Sequence, residues 1–124
     1  MTALGHRVWA IAEGWIPGRS TGPEEMESHE TVSFLNTSDE DAEVELTIYF
    51  ADREPAGPYR VDVPARRTLH LWFNDLDDPE PIPLETDYAS VIRSTVPIVV
   101  QHTRLDSREP ANALLSTMAY PVTD

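Results

Sequence analysis

The sequence predicts an all-β fold, an antiparallel β-sandwich of about eight strands formed by one domain over residues 1–124. Three observations predict it. Helical periodicity is almost absent. Short alternating or apolar runs recur instead, separated by Pro, Gly, Asn and Asp. The clearest run places Val44, Leu46, Ile48 and Phe50 on one face and Glu43, Glu45, Thr47 and Tyr49 on the other. That is a strand with one face in a core and one in water.

Taken in order, strands are expected near 7–13, 29–36, 42–51, 58–63, 67–73, 88–94, 97–105 and 113–120. Prolines punctuate them. Pro55 and Pro58 lie in the connection after the third strand, Pro64 ends the fourth, and Pro97 opens the seventh. Those are places where a missing N–H is tolerated. Two longer loops are expected, Pro17 to Ser28 and Leu76 to Asp87. Neither separates two segments that could each fill a core, so neither is an interdomain linker.

A chain of 124 residues buries roughly two-thirds of its unfolded surface and needs no covalent staple. There is no cysteine, which removes disulfides, thiol chemistry and cysteine–zinc sites together. The first residues, MTALGHRVWAIAEG, lack the pattern of a secretory signal, and no stretch is long and apolar enough to span a membrane. A cytoplasmic location is expected. The formal charge is −13, from 22 acids against nine bases, and every base is arginine. So acidic a surface opposes nucleic acid and anionic lipid and favours a basic partner. The cytoplasmic loops of membrane proteins are such a partner.

The residues that could carry chemistry are polar groups out of phase with their strands. Glu13 shares a face with Trp9, Ile11 and Trp15; Glu30 shares one with Val32 and Phe34. His102, Arg104 and Asp106 continue the face of Ile98 and Val100. Charges on an apolar face must be paired or face a cavity. Two readings stand: a Glu–Arg pair that closes one end of the core, or a ligand pocket. Glu13, Trp15, Glu30, His102 and Arg104 would line that pocket, and carboxylate, guanidinium and indole suit a small polyhydroxylated ligand. On the fifth strand, Thr68, His70, Trp72 and Asn74 face away from Leu69, Leu71 and Phe73. An outward tryptophan beside a histidine marks a subunit interface or binding surface.

Other chemistries find less support. His29, His70 and His102 lie on three strands with Glu30 beside one of them, but no spacing fixes two ligands together, and His70 and His102 point to opposite faces. No metal and no cofactor are expected. Ser28, His29 and Glu30 are neighbours in a strand and cannot converge as a triad. The acidic run from Asn74 to Pro79 lacks the glycine and the distal glutamate of a calcium loop. Arg53, Arg60, Arg66 and Arg67 could gather into a positive patch, though balancing nearby acids is the simpler role. Catalysis is not expected.

Several segments resemble the sensory rhodopsin transducer family. They are WAIAEGWIP (9–17), SHETVSFLN (28–36), IYFADREPAGPYR (48–60), VPARRT (63–68), FNDLDDPEPIP (73–83), DYASVIRSTVPIVVQHTRLDSR (87–108) and ALLSTMAY (113–120). The resemblance covers nearly the whole chain. It implies an all-β sandwich assembled as a homotetramer, with no enzymatic activity. It also implies a soluble signalling adaptor that docks on the cytoplasmic face of a seven-helix retinal photoreceptor. Relatives that sense small molecules such as sugars supply the alternative, a small polar ligand. Nucleic-acid binding is the less favoured possibility. The matching motifs contain Glu13, Trp15, His29, Glu30, Arg66, Arg67, His70, Asn74, Asp75, Gln101, His102, Arg104 and Asp106. Of these, Glu13, Trp15, His29, Glu30, Arg66, His70, Asn74, Gln101, His102, Arg104 and Asp106 are the candidate ligand-binding set. Trp72, His70 and Arg67 are the candidate interface. Trp72 stands where the resemblance leads one to expect a basic residue.

Overall fold

Alternation of period two builds nearly every element of the computed structural model, which describes residues 2–123. The strands are β1 (His6–Ile11), β2 (His29–Asn36), β3 (Ala42–Phe50), β4 (Ala56–Val63), β5 (Arg67–Trp72), β6 (Tyr88–Asp106), β7 (Ala113–Met118) and β8 (Tyr120–Val122). Two single-turn 3-10 helices, Glu24–Met26 and Phe73–Asp75, are the only helical pieces among the described residues. All strand pairs are antiparallel.

Two sheets share the long strand β6. Sheet A runs β4-β3-β6-β1-β8 and uses the first half of β6. Sheet B runs β5-β2-β6-β7 and uses the second half. The inner faces of both sheets enclose one core that includes Trp9, Ile11, Val32, Phe34, Leu46, Ile48, Tyr59, Ile92, Ile98 and Val100. Trp9 ties the sheets at their joint, its indole N–H shared between the carbonyls of His6 (2.9 Å) and Ile98 (3.0 Å).

The sequence divides β6 into two strands at Pro97, and the structure corrects this: residues 88–106 form one strand of 19 residues. The reason lies in where the proline falls. β3 pairs with β6 only as far as Ser94, and β2 begins pairing at Val99. The β1 ladder jumps over the same stretch, from Val8↔Arg93 to His6↔Ile98. Pro97 therefore sits where no ladder asks it for an N–H. The last expected strand also divides, into β7 on sheet B and β8 on sheet A, with buried Ala119 between them.

Candidate functional site

Glu30 is the centre of the site. It lies on the inner face of β2 beside Val32 and Phe34, and it is fully buried. In register it stands opposite Arg104, with His102 opposite Val32, on the neighbouring β6. That pairing brings the three together. Nε2 of His102 lies 2.6 Å from Glu30 Oε1. Arg104 donates to Oε2 from Nε at 2.9 Å, with Nη2 at 2.8 Å. The backbone N–H of Trp15 donates to the same oxygen. Arg104 Nη2 also reaches Glu13 Oε1 at 3.2 Å.

The electrostatics follow from this crowd of donors. Burial raises the pKa of Glu30, but the His102 hydrogen bond, the Trp15 amide and the charge of Arg104 outweigh it, and the carboxyl is held below its ordinary value. An ionised carboxylate only accepts, so His102 Nε2 carries the proton between them. Burial works against the charge of Arg104, and its two carboxylate partners more than compensate, raising its pKa. Tyr88 closes the group from β6. Burial first, then the Glu30 charge, push its phenol far above the ordinary range, and its hydroxyl has no hydrogen-bond partner among the described residues. The ring of Tyr88 lies against Gly14, where a Cβ would come within 2.5 Å of it.

A shell of smaller bonds fixes the strand ends. Asn74 Oδ1 accepts from the Glu30 amide at 3.3 Å, and its Nδ2 donates to the Ser28 carbonyl at 3.1 Å. The buried hydroxyls of Ser28 and Ser107 meet at 3.0 Å. Asp106 takes a fork of bonds from Arg108, which hold its carboxyl below the ordinary value. The Arg108 guanidinium lies 4.9 Å from the centre of the Trp15 ring.

The structure thus gathers Glu13, Trp15, Glu30, Asn74, His102 and Arg104, with Asp106 nearby through Arg108. Both Glu30 oxygens are engaged by side chains and backbone of the chain itself. Two details of the sequence reading are corrected. Glu13 is not on the inner face, because β1 ends at Ile11 and Glu13 projects into solvent. Asp106 is not on the core face either, because the alternation of β6 slips after His102 and buries Leu105 and Ser107 instead.

The remaining candidates lie elsewhere. His29, His70 and Gln101 stand on the outer face of sheet B. The His29 ring stacks on Trp72 at 3.7 Å and 8°, so Trp72 is half-buried rather than a free outward ring. Gln101 bonds to Ser116 Oγ at 2.7 Å. Arg66 occupies the turn between β4 and β5 with φ 55°, at the opposite end of β2 from Glu30. The four arginines do not converge: Arg53 pairs with Glu80, Arg60 with Glu45 and Arg66 with Asp39. Tyr88, Ser107 and Arg108 were missed. Tyr88 keeps the even-numbered phase of the β6 core positions, so its hydroxyl gave no out-of-phase signal. No group of three or more His, Asp or Glu among the described residues is placed to hold a metal ion. No helix among them is long and apolar enough to cross a membrane.

Comparison with known proteins places the chain in a family. The chain matches the family model described as Anabaena sensory rhodopsin transducer over residues 4–121. A solved structure of the Anabaena sensory rhodopsin transducer is 59% identical, with a TM-score of 0.72; the match covers 82% of this chain and 99% of that one. The solved structure described as Thermotoga maritima 1070 is 31% identical with a TM-score of 0.85, covering 95% of this chain and 96% of that one. No curated protein matches the chain. With the family model spanning β1 through the first residues of β8, the chain belongs to the Anabaena sensory rhodopsin transducer family.

Proposed function

We propose that this protein is a cytoplasmic, non-enzymatic signalling adaptor that docks on the cytoplasmic face of a seven-helix retinal photoreceptor or a related receptor. The observation that carries this reading is the family match over residues 4–121, joined by 59% identity to a protein described as a sensory rhodopsin transducer. The charge of −13 supports it independently, because it suits a receptor face rich in Lys and Arg. The test is binding of the purified protein to Anabaena sensory rhodopsin in lipid nanodiscs, with empty nanodiscs as control. Retention on the receptor discs alone supports docking; equal signals from both discs would reject it.

A second reading, a sensor of a small polar ligand, is favoured by one observation. A hollow of about 270 Å³ lined by Arg19, Asp106, Arg108, Glu109, Ala111 and Ala113 adjoins the site, and Arg108 belongs to both. Thermal unfolding with millimolar sugars and phosphorylated metabolites tests it. A ligand at ~100 times its Kd adds ~2.7 kcal/mol and raises the midpoint visibly. No shift with any class, or a shift that survives Arg108→Ala, counts against a ligand at this place.

A further inference from the structure

Acids and an indole meet at the end of β5. Trp72 is the last residue of that strand. Glu24 and Glu25 come to it from the first 3-10 turn, Glu27 from the residue after that turn, and Asp75 from the second. Together the five line a hollow of about 490 Å³, and none of them is basic. All four acids are exposed, and no salt bridge among the described residues includes any of them.

The indole is held from one side. His29 stacks on it, with ring centres 3.7 Å apart and planes 8° apart. The His29 ring is fixed in turn, because its Nδ1 lies 2.7 Å from the Glu27 carbonyl; a carbonyl only accepts, so Nδ1 donates. Trp72 is half-buried, and what remains of its surface lines the hollow. The strand it ends is also an edge. Among the described residues β5 pairs with β2 alone, so its far side presents backbone N–H and C=O groups without ladder partners.

We propose that this place is a docking surface for a basic segment of a partner protein, with an arginine or lysine side chain against Trp72 among the four carboxylates. Chemistry selects the occupant. Uncompensated negative charges around an indole favour a cation that can also pack on a ring, and arginine does both. A metal ion does not fit, because no three His, Asp or Glu among the described residues are placed to hold one. The open β5 edge favours a segment over a free cation, since an extended chain adds backbone hydrogen bonds there. The inference rests on the docking reading for the source of that segment, and it names where on this chain the segment sits.

Calorimetric titration of the protein with hexa-arginine at about 0.15 M salt tests it. Trp72→Ala leaves the charge untouched and should weaken binding about fivefold or more. Glu24→Gln/Glu25→Gln should weaken it too, and more than Glu43→Gln/Asp62→Asn, which removes as many charges from exposed positions on sheet A. If Trp72→Ala fails to fold by circular dichroism, the two acid pairs alone decide the question. No binding, wild-type affinity in folded Trp72→Ala, or equal losses from the two acid pairs overturns the proposal. The same variants on receptor nanodiscs keep the two readings apart. Wild-type protein and hollow variants retained alike would overturn the proposal and leave docking standing. Wild-type protein that is not retained would reject docking on that receptor, and the peptide titration would still judge the hollow.

Discussion

Removed from water entirely, the Glu30 carboxylate is solvated by His102, Arg104 and the Trp15 amide instead. Taking away one member of such a group leaves a buried charge or donor unpaired. Glu30→Ala should therefore destabilise the fold by about 3–5 kcal/mol, read from urea unfolding. A loss below about 1 kcal/mol would mean the pairing adds little. The pH dependence has a definite sign. The folded carboxyl sits below its ordinary value of 4.5, so in acid the unfolded chain binds the proton more readily. The contribution of Glu30 is complete above that ordinary value and drains away as pH falls through the folded one. Wild-type stability should fall as the pH drops below about 4.5, and Glu30→Gln should flatten that slope. Parallel curves for the two proteins would contradict this. Much of the cluster was legible: Glu30, His102 and Arg104 broke the alternation of their strands, which pointed to pairing or a pocket without choosing between them. Tyr88 obeyed the alternation, so only the fold could show its hydroxyl beside the carboxylate. Asn74 entered through motif resemblance, since its bonds to β2 depend on a turn that strand periodicity does not describe.

At the scale of the element, β6 joins the two sheets. Its burial pattern was readable in both halves, yet Pro97 hid its continuity, because whether a proline breaks a strand depends on which neighbours need its N–H. Only the registers of β1, β2 and β3 decide that. Pro97→Ala should accordingly change stability by less than about 1 kcal/mol, since the restored N–H has no ladder partner there. Gly5 is the contrasting position. It adopts φ +100°, and a Cβ would fall 1.8 Å from the Ile98 carbonyl oxygen on β6. Gly5→Ala should cost about 2 kcal/mol or more, seen as a lower urea midpoint at unchanged slope. Equal stability of the two variants would show that the joint is looser than its contacts imply.

For the whole molecule, the eight-strand class was legible from period-two patterning, while the sharing of one strand by two sheets was not. The charge was legible too, but its distribution over the two sheets was not, because it depends on strand registers that the sequence does not print. The net charge of −13 is what the proposed docking draws on. If the proposed docking is electrostatic, it should weaken with ionic strength. The most direct measurement is the affinity for Anabaena sensory rhodopsin in nanodiscs across an ionic-strength series from about 0.02 M to about 0.5 M. The account predicts specific binding that weakens by at least tenfold across the series. Absence of binding at low salt, or an affinity indifferent to salt, would contradict an adaptor that docks by its acidic surface.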